Sequence, residues 1–300
     1  MKNYLFTLLF SLTFISLQAQ ENENKFTYKI GDFEINLLSW GQNQGEPSIL
    51  IGATEEILKE CAPQGTFPNA INAFLVRTPD KTILVDAGFE EGLVANLHAY
   101  NVHANQVDII LITHMHGDHI GGLLSDGKAR FDNAVLYLSQ SEFDYWMSDE
   151  DMNQLPEDKR GGFKMARQVI DAYKDKLLLF VPPYLGKETS ILLPGITPLA
   201  AYGHTPGHTM FLLESKTDKL LIWGDVTHAM AIQMPYPEVA VTYDVDPKQA
   251  IQSRKEVLEY VTKNNIPVAG MHIPYPAVGS IRKDAEKYYF SPIVIVKKRR

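Results

Sequence analysis

Apolar and polar positions along the chain follow two periods, one typical of strands and one typical of helices. Residues 26–30 and 33–38 alternate apolar and polar side chains across a Gly-Asp pair, which predicts a β-hairpin. Residues 72–78 and 81–86 predict a second pair of strands joined by a Pro-Asp turn. Residues 107–113 are mostly apolar and rich in β-branched side chains, which predicts a buried strand.

The second part of the chain continues this alternation of short strands and amphipathic helices. Further strands are predicted at residues 134–138, 177–181, 189–193, 196–200, 210–214, 219–223 and 268–272. Helices are predicted at residues 54–60, 90–100, 141–146 and 163–176, and between Asp246 and Asn265. Arg254 falls on the apolar face of the last helix, where we expect a buried stem and a head that reaches water. Strands and helices in this order, over 300 residues, predict a mixed α/β fold in one domain.

The first twenty residues have the layout of a secretory signal peptide. Lys2 is followed by an uncharged, mostly apolar run at residues 4–17, and Ala19 precedes a polar, charged segment. We expect cleavage after Ala19, which divides the chain into a signal peptide at residues 1–19 and a mature domain at residues 20–300. The protein is then exported, to the periplasm or to the medium. An uncleaved membrane anchor is the alternative, but the apolar run is short for a span of about 20 residues.

Composition and charge limit the partners of the mature chain. Hydrophobic residues make up 45% and charged residues 21% of the sequence, as in a globular protein with a large core. The net charge of −8 gives no reason to expect binding to nucleic acid or to an anionic membrane, and we expect no stable membrane insertion after signal cleavage. Cys61 is the only cysteine, so no disulfide can form within the chain, and the core or bound metal has to supply the stability.

Residues 114–119 read His-x-His-x-Asp-His and directly follow the predicted strand at 107–113. Three of the nine histidines fall in this stretch, which disfavours the alternative of a polar loop that is rich in histidine by chance. A strand alternates its side chains, so the first two histidines can point the same way. The glycine that follows allows a turn that brings the aspartate and the third histidine back toward them. Imidazole and carboxylate groups suit zinc or a similar first-row ion, so the stretch predicts a metal site.

Further motifs accompany this stretch in order along the chain. Asp-Ala-Gly stands at 86–88, Gly-His-Thr-Pro-Gly-His at 203–208, Trp-Gly-Asp at 223–225 and Gly-Met-His at 270–272. Together with His-x-His-x-Asp-His, this set resembles the metallo-β-lactamase superfamily of metal-dependent hydrolases, and the matched motifs span most of the mature chain. The resemblance implies a four-layer αββα sandwich in a single domain, with the metal site at one edge of the sheets.

The same resemblance implies a site for two divalent ions, with Zn²⁺ expected and other first-row metals as alternatives. One ion is held by three histidines and the second by an aspartate and two histidines, while a further aspartate bridges them. In this order the residues are His114, His116 and His208, then Asp118, His119 and His272, then Asp225. Two ions about 3.5–4 Å apart can share a hydroxide that attacks a carbonyl carbon or a phosphorus atom, so the implied reaction is metal-assisted hydrolysis.

Other residues are expected to support this chemistry. By resemblance Asp86 orients one of the histidine ligands, with a helix cap as the alternative role. His204 could bind metal, orient a ligand or pack, and we assign it an orienting role. Asp118 and Asp225 are candidate catalytic residues together with His228, which stands where many lactonases have a tyrosine. A histidine there can also donate a hydrogen bond to a leaving alkoxide.

Within the superfamily, the sequence resembles the N-acyl-homoserine lactonases and the exported hydrolases related to methyl parathion hydrolase. The resemblance lies in Thr-Pro-Gly-His at 205–208, Gly-Asp-Val-Thr-His at 224–228 and Gly-Met-His-Ile-Pro-Tyr-Pro at 270–276. Zinc β-lactamases often use a cysteine ligand, and Cys61 lies outside the motifs, which disfavours that class. We expect an exported enzyme that opens the ring of acyl-homoserine lactones, an activity known as quorum quenching. A phosphotriesterase or arylesterase is the alternative, and a zinc-binding protein without activity is a remote one.

The expected partner is therefore a small molecule, an acyl lactone or ester. Residues 40–68 are rich in glycine and proline, and we expect them to form a loose segment that covers the site. Candidate pocket residues are Trp40, Phe67, Met152, Met234 and Tyr275. A homodimer is compatible with this type of enzyme.

Overall fold

The computed structural model describes residues 25–187 and 190–293. The predicted signal peptide at residues 1–19 lies outside the described part of the chain. Residue 189, the first of the strand predicted at 189–193, is also outside it, and the remainder of that segment forms only a bridge between Leu193 and Ile196.

Strands and helices alternate along the described chain. The strands are β1 (Thr27–Ile30), β2 (Phe33–Gly45), β3 (Leu50–Ile51), β4 (Phe67–Arg77), β5 (Thr82–Val85), β6 (Ile109–Leu111), β7 (Leu124–Ser125), β8 (Lys128–Ala129), β9 (Val135–Ser139), β10 (Leu177–Phe180), β11 (Ile196–Ala200), β12 (Thr209–Ser215), β13 (Asp218–Ile222), β14 (Ala240–Val241), β15 (Val268–Ala269), β16 (Val278–Asp284) and β17 (Lys287–Pro292). The helices are α1 (Glu55–Cys61), α2 (Glu90–Ala99), α3 (Gly117–Ile120), α4 (Gln140–Met147), α5 (Asp149–Gln154), α6 (Gly161–Tyr173), α7 (Met230–Gln233) and α8 (Pro247–Asn264).

Two large sheets form the centre of the molecule. The larger sheet has the strand order β1-β2-β4-β5-β6-β9-β10, antiparallel from β1 to β5 and parallel from β5 to β10. The smaller sheet has the order β11-β12-β13-β15-β16-β17, in which only β13 and β15 pair in parallel. Short pairs, β3 with β14 and β7 with β8, lie outside these sheets.

Alternating side chains of the central strands separate two cores. In β4, Phe74 and Val76 belong to the core that the two sheets share, together with Leu213 and Ile222 of the smaller sheet. Leu75 points the other way, into a core built with helices α2, α4 and α6. Since a strand places successive side chains on opposite faces, an apolar run such as residues 73–76 of β4 is expected between two buried layers.

Helices cover the outer faces of both sheets, which gives the four layers of the predicted αββα sandwich. α2, α4 and α6 pack on the larger sheet, and α8 packs on the smaller one through Val257, Leu258 and Val261. α8 begins with Asp246 as its N-cap and ends before Asn265, as its sequence predicts. None of the helices within residues 25–187 and 190–293 combines the length and the apolar character needed to cross a membrane.

The segment at 40–68 is more regular than its glycine and proline content suggests. β2 continues to Gly45 and pairs with a β4 that already begins at Phe67, after an irregularity between Ser39 and Gln42. The extra residue of such a bulge bends the strand and restores its pairing beyond the break. The segment predicted to be loose therefore contains the end of β2 and the start of β4, with β3 and α1 between them.

Arg254 differs from the prediction of a side chain whose head reaches water. Its exposed fraction is 1%, and it donates hydrogen bonds to the carbonyl oxygens of Val226, Pro237 and Val239 at 2.7–2.9 Å. The guanidinium group has five N–H donors, so several backbone acceptors can replace water around it. Burial lowers the pKa of Arg254 to about 10, so it still carries its charge at neutral pH.

Candidate metal centre

The candidate metal-binding residues lie in loops that leave strands at one edge of the two sheets. β6 is followed by residues 112–116 and then by α3, which together carry the His-x-His-x-Asp-His motif. Asp225 follows β13 and His272 follows β15. These two strands are parallel neighbours, so their carboxyl ends deliver both side chains to the same edge. His204 reaches this edge from the connection between β11 and β12.

Three imidazole nitrogens meet at one point of this edge. His114 Nε2 lies 3.0 Å from His116 Nδ1 and 3.2 Å from His204 Nε2, and the last two nitrogens are 2.9 Å apart. Nitrogen atoms this close need either shared protons or a shared cation between them. This triad is one of the groups whose donor atoms all lie within 4.8 Å of one another.

A second group lies beside the first, and Asp225 stands between them. Asp118, His119 and His272 also place their donor atoms within 4.8 Å of one another. Asp225 Oδ2 lies 3.3 Å from His119 Nε2 and 3.1 Å from His272 Nε2 on one side, and 3.4 Å from His204 Nε2 on the other. This is the place that a bridging carboxylate requires.

The ring nitrogen of His204, and not that of His208, lies among those of His114 and His116, whereas the sequence predicted His208 at this position. His208 Nε2 accepts a hydrogen bond from the backbone N–H of Asp225 at 2.9 Å, and its Nδ1 lies 3.0 Å from the carbonyl oxygen of Ala201. Both ring nitrogens are therefore engaged, and His208 belongs to none of the close donor groups in the described chain. A Cβ at Gly224, whose φ is +60°, would lie 2.5 Å from His208 Nε2, so only glycine permits this close approach.

Asp86 holds His119 in the way that an orienting carboxylate requires. Its Oδ2 lies 2.7 Å from His119 Nδ1 and accepts a hydrogen bond from Thr113 Oγ1, while Oδ1 accepts from the Thr113 N–H. When Nδ1 donates to Asp86, the lone pair of His119 Nε2 faces the cluster. The alternative role as a cap of α2 is not the observed one, since the N-cap position is Phe89.

Asp244 performs the same task for His204, and sequence reasoning did not find it. Its Oδ1 lies 2.8 Å from His204 Nδ1, and its Oδ2 accepts from the N–H of Val241. His272 is oriented by a backbone acceptor instead, the carbonyl oxygen of Ala70, 2.9 Å from its Nδ1. In each case the outer nitrogen is occupied and the inner nitrogen is left for a ligand.

Burial and local charge shift the pKa values of these rings in opposite directions. Burial, reinforced by the neighbouring His204, lowers the pKa of His208 to about 3. Burial likewise lowers the pKa of His228 to about 4. Burial also acts on His204, but hydrogen bonds with Asp225 and Asp244 outweigh it and raise the pKa to about 9. His208 is therefore neutral at pH 7, as an acceptor of the Asp225 N–H must be.

The donor set fits a divalent metal. His119 Nε2, Asp225 Oδ1 and His228 Nδ1 are buried and have no hydrogen-bond partner among the described residues. Burying an unpaired polar atom costs about 1–3 kcal/mol, and a bound cation would satisfy His119 Nε2 and Asp225 Oδ1. Imidazole nitrogens combined with carboxylate oxygens are a donor set that zinc accepts.

His228 lies against this cluster at the floor of an open cleft. Its Nε2 is 2.9 Å from Asp225 Oδ2, and its ring stacks on that of His272 with centroids 4.6 Å apart. Gln233 Oε1 accepts a hydrogen bond from its backbone N–H at 2.7 Å and so fixes the loop after β13. The ring centroid of Tyr243 is 6.2 Å from that of His228.

The cleft above the cluster has a volume of about 770 Å³. Its walls combine amide and apolar side chains with one carboxylate, that of Glu46. The amides are Asn43, Gln44 and Asn69, and the apolar residues are Ile49, Ile71, Phe89 and Tyr243. None of the described residues that line it is a lysine or an arginine.

The five residues predicted to contact substrate do not line this cleft in the described chain. Phe67 is fully buried beneath Gly45, because alternation in β4 points it into a small core. Trp40 packs on Gly88 and donates from Nε1 to a backbone oxygen of α2. Met152 packs against the helix-covered core of the larger sheet, and Met234 and Tyr275 line a separate cavity of about 590 Å³.

The fold and the His/Asp cluster together define a metallo-hydrolase. The model of the metallo-beta-lactamase superfamily matches residues 66–269, and the chain belongs to this superfamily. A curated relative is the probable metallo-hydrolase YybB of Bacillus subtilis (strain 168), 28% identical over 156 residues that make up 52% of this chain. The match spans 61% of that relative's length.

Two solved structures resemble nearly the whole chain. The hydrolase AbOPH of the beta-lactamase superfamily is 31% identical with a TM-score of 0.81, covering 91% of this chain and 99% of that one. AidC, a dizinc quorum-quenching lactonase in complex with a product, is 26% identical with a TM-score of 0.82 and the same coverage.

Proposed function

We propose that the chain is a hydrolase that binds two divalent metal ions, Zn²⁺ or a similar first-row ion, through two sets of ligands bridged by Asp225. The first set is His114, His116 and His204, and the second is Asp118, His119 and His272. The close donor atoms and the unpaired buried atoms of the cluster support this assignment. When bound, such ions would supply the nucleophile and the electrophile for hydrolysis of a carbonyl compound.

The substrate we propose is an N-acyl-homoserine lactone, whose ring the enzyme opens. The observation that carries this choice is a cleft whose walls are mainly amide and apolar and whose described lining contains no lysine or arginine. Substrates with several phosphate charges, such as coenzyme A thioesters and nucleic acids, need arginine or lysine contacts that this cleft does not offer. Asn43, Gln44 and Asn69 can bond an acyl amide, and Phe89 can cover an acyl chain. The likeness to AidC supports the same substrate class.

Two side chains of the cleft, Asp118 and His228, would act on the substrate, and Asp225 would orient the second of them. Asp118 is the most accessible carboxylate of the cluster, and its Oδ2 lies 3.5 Å from His272 Nε2. It can take a proton from the attacking water and hold it until the ring opens. Asp225 fixes the ring of His228 through the 2.9 Å contact with Nε2. The single N–H of neutral His228 lies in that contact, and it would donate a hydrogen bond to the leaving alkoxide once Asp225 Oδ2 is turned to the bound ions.

A substrate panel tests this choice. We expect zinc-loaded protein to convert N-acyl-homoserine lactones to the open hydroxy acids without releasing the acyl chain, as measured by mass spectrometry. Each added methylene should improve kcat/KM by at most about fourfold, the equivalent of about 0.8 kcal/mol of apolar burial. Phe89→Ala should reduce this dependence on chain length, and Leu178→Ala, an exposed position on the edge strand β10, should not.

A neutral phosphotriester or aryl ester is the second candidate substrate. Such neutral molecules need no lysine or arginine contact, so the cleft can also bind them. The exposed rings of Phe89 and Tyr243 could stack on an aryl leaving group. Turnover of phosphotriesters that exceeds lactone turnover by orders of magnitude would reverse the order of the two candidates. If the protein binds zinc but hydrolyses no member of the panel, the result would favour a metal-binding protein without enzymatic activity.

The enzyme is exported, in this proposal, through the signal peptide at residues 1–19. The charged start, the uncharged apolar run and Ala19 support this. We expect protein recovered from outside the cytoplasm to begin at or near Gln20, as determined by N-terminal sequencing. An intact Met1 terminus on most of the active protein from cells would contradict export.

A further inference from the structure

Glu142 is a buried carboxylate that no part of the proposed chemistry uses. It lies in the first turn of α4, whose N-cap is Ser139, and its exposed fraction is 0%. Its two oxygens face two different loops, and each loop carries a candidate metal ligand. One is the loop of His116, and the other is the loop of His204.

Each carboxylate oxygen of Glu142 accepts two hydrogen bonds. Oε1 accepts from the backbone N–H of Met115 at 2.8 Å and from Trp146 Nε1 at 2.6 Å. Oε2 accepts from Thr205 Oγ1 at 2.6 Å and from the backbone N–H of Gly207 at 3.0 Å. Met115 lies between the two histidines of the first loop, and Thr205 directly follows the histidine of the second. One side chain thus connects both loops.

The same turn of α4 holds Gly207 through further contacts. Ser139 Oγ donates to the carbonyl oxygen of Gly207 at 2.7 Å. A Cβ at Gly207 would lie 2.1 Å from the backbone nitrogen of Glu142, so the loop approaches the helix as closely as a glycine allows. The ring of Trp146, which donates to Glu142, lies nearly perpendicular to that of His116, with centroids 5.8 Å apart. Both loops are therefore packed against α4.

We propose that Glu142 is a positioning residue for metal binding, which sets the distance between the loops of His116 and His204. The ring nitrogens of these two histidines lie 2.9 Å apart. The inference rests on the proposed metal site and not on the choice of substrate. A carboxylate suits the position because it has only acceptors and meets four donors. An amide has one oxygen, so it could serve the donors of one loop and would present its N–H₂ group to those of the other.

Glu142→Gln distinguishes this role from a purely structural one. We expect the folded variant to bind zinc about 10- to 100-fold more weakly in competition with a chromogenic chelator, the range typical of groups that orient metal ligands. Asp144→Asn removes the same charge from the exposed side of α4 and should leave the zinc affinity unchanged. Val261→Ala creates a defect in the core under α8 and should lower Tm without weakening zinc binding.

An unchanged zinc affinity in folded Glu142→Gln, with only a lower Tm, would overturn the proposal. If this variant does not fold, Thr205→Val gives the deciding measurement, because it removes a single donor to Glu142 and keeps the side-chain shape. We expect a weaker zinc affinity for it as well, and an affinity equal to that of the wild type would overturn the proposal. Failure of the wild-type protein to bind zinc would instead refute the metal site itself, so the two failures are distinguishable.

Discussion

His204→Ala should bind one metal ion fewer per chain than the wild type, whereas His208→Ala should keep full metal content. His204 Nε2 faces the other imidazoles of its group, but His208 Nε2 already accepts the Asp225 N–H. We expect kcat/KM of His204→Ala to fall by more than about 100-fold, since even residues that only orient ligands cost about 10- to 100-fold. His208→Ala should fall within that smaller range. Elemental analysis and lactone assays of the same preparations measure both quantities.

His103→Ala is a suitable control for the loss of an imidazole, because His103 is exposed and contacts His98 rather than the cluster. It should match the wild type in metal content and kcat/KM. Loss of one ion in His208→Ala, with full content in His204→Ala, would restore the assignment made from the sequence. Full activity of protein stripped of metal would refute a metal-dependent mechanism for either assignment.

Much of the fold could be predicted because buried apolar positions recur along the sequence with the period of a strand or of a helix. The apolar run at 73–76 follows from a strand that lies between two cores, and the caps of α8 follow from unpaired backbone groups at its ends. The extension of β2 and β4 has no such apolar pattern in its sequence. Asn43 and Asn69 face each other across the two strands near the cleft, and their polar side chains are typical of loops. Their pairing depends on the register beyond a bulge.

The site could be located from the sequence, but its internal contacts could not. Gly-His-Thr-Pro-Gly-His offers two histidines, and only the path of the loop decides which ring faces the cluster. Asp244 lies 40 residues beyond His204, and Glu142 lies 27 residues beyond Met115. Contacts at such separations between polar residues leave no periodic pattern. The motif therefore predicted the place of the His/Asp cluster, while the groups that orient its side chains required the folded chain.

His228→Ala should keep both metal ions and lose activity. The ring lines the cleft and contacts Asp225 and His272, yet the two proposed ligand sets are complete without it. A group that transfers a proton to the leaving oxygen typically contributes about 10²- to 10⁴-fold, so we expect kcat to fall by about 10²- to 10⁴-fold. KM should change less, because Phe89 and the amides of the wall remain. Steady-state kinetics and elemental analysis across neutral pH test this.

The outcome separates three roles for the ring of His228. If it binds metal, His228→Ala loses an ion as well as activity, and His228→Tyr restores neither. If it assists the leaving alkoxide, metal content is unchanged and His228→Tyr recovers part of kcat for lactones, because a phenol can also donate a hydrogen bond. If it only packs against His272, the variant keeps both its metal content and its kcat. Another side chain of the cleft must then donate the proton to the leaving oxygen. Asp118, the carboxylate most open to the cleft, would then be the remaining proton donor among the described residues of the cluster, and Asp118→Asn would be the next variant to measure.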